Sequence, residues 1–226
     1  METWLSYSLQ DLALFTADTF FRLFELNNTA LWPFQFLMLV VAVMLFLLAQ
    51  RTDRKSANSL AIILALLWCL VGWQFFHKLY TPIYPAADWF ALLFATQALL
   101  FLTLGLRLSR RRLFYNRMPH PTYPGAILFF YAIAIHPLAG LMFERNWQSL
   151  EIFGIAPDPT ALGTLGLLLL MPGVKPKILA VIPLGWCVIS GLTYMAMELP
   201  IGLLTPAVAI LASIASIKKQ SSTNFS

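Results

Sequence analysis

An all-α, polytopic transmembrane helix bundle of about seven spans is the fold class that this sequence predicts, on three observations. Of its 226 residues, 59% are hydrophobic and 11% charged, and the mean hydropathy is +0.74, far from the usage of soluble domains. The charges fall between long uncharged runs, most of them near the roughly 20 residues that a helix needs to cross a hydrocarbon core of about 30 Å. Finally, bases and acids separate when successive loops are assigned to opposite sides of a membrane.

Taken in order, METWLSYSLQDLALF shows no basic leader and no signal-peptidase pattern, so no cleaved signal peptide is expected. Residues 1–30 are expected to form an outer interfacial amphipathic segment. Within it Thr16 is placed as an N-cap and Asp18 in the first turn. Asp18, Arg22 and Glu25 recur on one face, while Phe20, Phe21, Leu23 and Phe24 fill much of the rest. Residues 31–217 form the bundle, with spans expected near 31–50, 57–77, 88–106, 125–143, 152–172, 178–197 and 199–217. Residues 218–226 read as a polar cytoplasmic tail.

Seven crossings place Arg51, Arg54, Lys55, Arg107, Arg110, Arg111, Arg112, Arg117, Lys175, Lys177, Lys218 and Lys219 on one side, and only Arg22, Lys78 and Arg145 on the other. The positive-inside rule makes the first side cytoplasmic, with the N-terminus outside and the C-terminus inside. These bases are topology signals, so a pI near 9.4 does not indicate nucleic acid. The expected partner is the lipid bilayer, with a homo-oligomer or a membrane partner protein compatible with it. Arg110, Arg111 and Arg112 are placed to meet anionic lipid headgroups, beside their ordinary role in orientation.

The fifth span, EIFGIAPDPTALGTLGLLLLMP, is the irregular one. From Pro159 to Met171 it offers about 20 Å of helix, leaving about 10 Å of hydrocarbon uncovered. A re-entrant hairpin would carry Lys175, Lys177, Lys218 and Lys219 to the outer side, so a crossing with an irregular outer third is favoured. Pro157-Asp158-Pro159 marks the break. Pro159 suits a first helical turn and Asp158 an N-cap, while Gly163, Thr164 and Gly166 allow close helix packing. The alternative role for Asp158 is a carboxylate at a broken helix, facing a cavity.

Ionisable groups inside a bilayer are functional candidates, whereas those at span ends reach water. His77, Lys78, Asp88, Glu144 and Arg145 belong to the second class. Glu198 also ends its span and is kept as a candidate cavity group. His136 lies deep in its span, in YAIAIHPLAG, where Pro137 removes a backbone donor and leaves the Ile133 carbonyl without its helical partner. A polar ring at such a kink either lines a wet cavity or hydrogen-bonds a neighbouring helix. Cys69 and Cys187 lie in apolar runs and read as small buried hydrophobes. His77, His120 and His136 have no metal-ligand spacing with local Cys or carboxylates, and no cofactor is indicated. G-x-S-x-G, H-E-x-x-H and Walker motifs are absent, so no catalytic residue is assigned.

The stretches NNTALWPFQ and FGIAPDPTALGTLGLLLLMPGVKPKILAVIPLGW resemble a bacterial domain-of-unknown-function family of small multi-pass membrane proteins, sometimes labelled as permeases. The resemblance implies a bacterial inner membrane and carries no mechanism. In topology alone, a three-plus-one-plus-three arrangement with Trp-Cys pairs in ALLWCLVGW and PLGWCVISG is similar to the sugar-transporting SWEET family. That family's Pro-Gln dipeptide is missing, since Pro33 is followed by Phe34 and then Gln35. Seven helices with an outside N-terminus also resemble retinal proteins, but the span near 199–217 contains no lysine, which excludes that chemistry. The expected function is a small permease-like carrier of an unidentified solute, with Asp158, His136 and Glu198 lining its cavity. The alternatives are a non-transporting subunit or assembly factor, and less so a lipid-modifying enzyme.

Overall fold

The structure, a computed structural model, describes residues 16–107, 123–141, 146–171, 177–199, 205 and 207–210. Among these residues the protein is all-α and holds no strand. Helix α1, Ala17–Ala30, begins where the Thr16 hydroxyl accepts the Thr19 N–H at 3.4 Å, with Asp18 in the first turn. Phe20, Leu23, Phe24 and Asn27 are buried, and Asp18 and Arg22 exposed. The chain then bends by 89° into α2, Phe34–Gln50, which carries no charge. Phe36, Val40, Val43 and Leu47 on α2 are all more than half exposed. Such a face would cost about 25 cal/mol per Å² in water and nothing against lipid chains.

Helix α3, Arg54–Tyr80, is capped by Asp53, whose carboxylate accepts the Ser56 N–H at 2.8 Å. Its last nine residues, Gly72–Tyr80, are π-helical. Helix α4, Ala87–Gly105, packs against it, and helix α5, Tyr123–Leu141, contains a further π-helical stretch, Tyr131–Ile135. Helices α6, Pro157–Leu170, and α7, Lys177–Ala196, complete the described bundle. By length and composition α3, α4, α5 and the Ile178–Ala196 part of α7 suffice to cross a membrane, and the bent α1–α2 pair makes a fifth candidate. With 14 residues, α6 reaches only about 21 Å. The expected span 199–217 lies largely outside the described residues, as do 218–226.

Short as it is, α6 is the centre of the molecule: every residue from Pro157 to Leu168 is buried. Glycine makes that possible. A Cβ on Gly166 would stand 2.7 Å from the Phe129 nitrogen and 2.9 Å from the Gly125 oxygen, so the backbones of α5 and α6 touch without side chains between them. On the opposite side the Trp68 indole of α3 donates to Thr164 Oγ1 at 2.9 Å.

The loop leading into α6 is buried from Phe153 to Ala156. Gly154, at φ +80, turns its N–H onto Thr160 Oγ1 at 2.8 Å, and that hydroxyl donates to the Ala156 carbonyl at 2.6 Å. Asn27 of α1 donates to the Ile155 carbonyl at 3.2 Å, while Asn28 donates to the carbonyls of Gln148 and Leu150, each at 2.8 Å. The expected cap is corrected here. Ala156, not Asp158, is the N-cap, and Pro157 opens the helix, where its missing N–H costs nothing. Asp158 therefore sits inside the first turn with its carboxylate available for other partners.

A candidate buried histidine and carboxylate site

Asp158 points at α7. Trp186 Nε1 donates to its Oδ1 at 2.8 Å and the Ser190 hydroxyl donates to its Oδ2. One turn further along the same face, Tyr194 donates its hydroxyl to Glu151 Oε1 at 2.6 Å. Positions 186, 190 and 194 are four apart, so one stripe of α7 serves both carboxylates. Glu151 comes from the loop before α6, with its side chain 3% exposed, and its Oε2 lies 3.3 Å from His136 Nε2.

His136 follows the π-helical stretch of α5, in which its N–H bonds the Tyr131 carbonyl five residues back. The irregularity that Pro137 requires is thus a widened turn, which leaves the imidazole in the interior with 11% of its side chain exposed. Ligand atoms of His136, Glu151 and Asp158 all lie within 4.8 Å of one another.

A narrow cleft reaches Asp158 between aromatic rings: Phe20 and Phe24 of α1, Phe75, Phe76 and Tyr80 of α3, Phe90 of α4, and Trp186. It has room for little more than a single water molecule. Phe20 also packs edge-on to Tyr194, with ring centroids 5.7 Å apart, so α1 covers both cleft and cluster.

Two of the three expected cavity residues, Asp158 and His136, are brought together. Glu198 is not; it is exposed beyond the end of α7 at φ +60. Arg110, Arg111 and Arg112 lie outside the described residues. His77 and Asp88 form a half-exposed pair at 2.8 Å, as expected of helix ends. Cys187 is buried, but Cys69 is exposed on the outer face of α3, correcting its expected burial.

Glu151, Trp186, Ser190 and Tyr194 carry the site without having been singled out. The available signal was the spacing of Trp186, Ser190 and Tyr194, four apart in a mostly apolar helix. Comparison with known proteins adds no chemistry. No curated protein and no solved structure matches the chain. The family model that matches residues 17–226 describes a family of unknown function, DUF6064.

Proposed function

The chain belongs to DUF6064, and because that membership brings no activity with it, we propose from the site that the protein is a small permease-like carrier of the inner membrane with its solute centre at His136, Glu151 and Asp158. One observation carries the reading: an imidazole and two carboxylates converge inside a bundle whose outward faces are apolar. Burying ionisable groups carries a desolvation cost, and a well-packed apolar core in their place would be more stable. Three such groups in one place serve something other than stability.

In this reading α2 to α5 cross in turn, the buried loop 151–156 with α6 forms a broken fifth crossing, α7 is the sixth, and residues 199–217 the seventh. The basic loops face the cytoplasm. His136, Glu151, Asp158 and Ser190 then lie toward the outer face, with α1 over them in the interface. The substituted-cysteine test uses a chain with Cys69→Ser and Cys187→Ala that carries Thr193→Cys in the cleft wall. A carrier labels with a membrane-impermeant maleimide from the outer face, and faster when Phe24→Ala opens the cleft. No labelling in either form sinks the carrier reading. It would favour a non-transporting membrane subunit, the second reading, which the narrowness of the cleft supports.

A further inference from the structure

We propose that His136, Glu151 and Asp158 form a binding site for a divalent first-row transition-metal ion of the Zn²⁺ class. The metal being the carried solute rests on the carrier reading; its binding does not. The first support is spacing. Zinc stands about 2.0–2.2 Å from nitrogen and oxygen ligands, so two ligands on a tetrahedral ion are roughly 3.3–3.6 Å apart. His136 Nε2 and Glu151 Oε2 are separated by 3.3 Å, longer than the about 2.7–2.9 Å of a good charge-assisted hydrogen bond. Asp158 offers its oxygen within 4.8 Å of both, wider than that spacing, so binding draws its carboxylate inward against the Trp186 and Ser190 bonds.

The second support is donor chemistry. One imidazole and two carboxylates suit zinc, manganese, iron or cobalt, whereas calcium and magnesium prefer all-oxygen shells. Three ligands from three separate segments leave a coordination position open, and the aromatic cleft reaches the cluster at Asp158.

The third support is the way the carboxylates are held. Tyr194 donates to the Glu151 oxygen that does not face His136, and both Asp158 oxygens accept from neutral donors, Trp186 and Ser190. Such bonds orient a metal-ligating carboxylate and leave each oxygen a lone pair. Neither donor to Asp158 is charged, so beside His136 a bound cation would be the counter-charge that two neighbouring buried carboxylates share.

The test uses the purified full-length protein, stripped with chelator and titrated with Zn²⁺ by calorimetry and with Co²⁺ by visible absorbance. One ion per chain is expected, with intense d–d bands from a low-symmetry Co²⁺ site. His136→Ala and Glu151→Gln should abolish stoichiometric binding. Tyr194→Phe, which touches no metal, should weaken it by about 10–100-fold with the ligands intact. His77→Ala should change nothing.

Wild-type affinity in both His136→Ala and Glu151→Gln, or no Zn²⁺ bound by folded wild-type protein, overturns the site. If those two variants misfold, the Tyr194→Phe shift alone decides, and an unchanged affinity there rejects the proposal. Proteoliposome uptake of Zn²⁺ separates the two ideas. Binding without uptake keeps the site as a resident ion and rejects the metal as the carried solute; cysteine labelling without binding keeps the carrier and rejects the metal site.

Discussion

Asp158 shows why two substitutions of similar size should differ. Asparagine keeps an oxygen for the Trp186 indole, and its amide can meet a rotated Ser190 hydroxyl. Alanine strands a buried indole N–H. The alanine variant should therefore be less stable than the asparagine variant by about 1–3 kcal/mol, measured by thermal unfolding in detergent; equal stabilities would mean that these bonds contribute nothing. Asp158 and His136 were legible because an ionisable side chain in an apolar run is anomalous wherever it points. Glu151 was not, because an acid in an outer loop looks solvated until the loop is known to be buried. Glu198 was kept as a cavity group against the rule for span ends, and it is exposed beyond α7, where that rule puts it.

For the elements, the seam between α5 and α6 gives the sharpest contrast. Gly166→Ala places a methyl 2.7 Å from backbone that cannot rotate away, so the helices must separate; a loss of about 1–3 kcal/mol is expected. Gly185→Ala on α7 meets nothing within 4 Å and should be neutral or stabilising by up to about 1 kcal/mol, from helix propensity. Unfolding of the two variants in one detergent checks both. At the start of α3, bonds from the Ser56 side chain and then its backbone N–H hold the Asp53 carboxyl below its usual range. Because the folded value is the lower one, that stabilisation is complete above the ordinary carboxylate range and is lost as pH falls below about 4. Asp53→Asn should flatten that part of the pH profile of the melting temperature. Thr16 and Asp18 announced the start of α1 through cap chemistry. The π-helical stretches at Gly72–Tyr80 and Tyr131–Ile135 had no such signature, apart from Pro137, because a five-residue hydrogen-bond register follows from what packs around it.

Across the whole molecule the expectation is an orientation. Reporters fused after Lys55, Arg117, Lys177 or Ser226 should signal cytoplasm, and those after Tyr84 or Trp147 the outside; an outer signal at both Lys177 and Ser226 would turn the fifth crossing into a hairpin. Replacing Arg110, Arg111 and Arg112 together by glutamine should lower insertion fidelity, read by the same reporters. The all-α class and the helices long and apolar enough to cross a membrane were legible from composition and from the lengths of the uncharged runs. The arrangement around α6 was not, because Gly125 and Gly166 are forty-one positions apart and nothing local links them. Their contact also has a mechanical meaning. Where Gly125 and Gly166 bring backbone against backbone there is no side chain to re-pack, which resists sliding of α5 on α6 and favours their travelling as one piece. His136 and Asp158 ride on that piece, while Trp186, Ser190 and Tyr194 ride on α7. The cleft to Asp158 is walled by α1, α3, α4 and α7, so opening it means parting those helices around that piece.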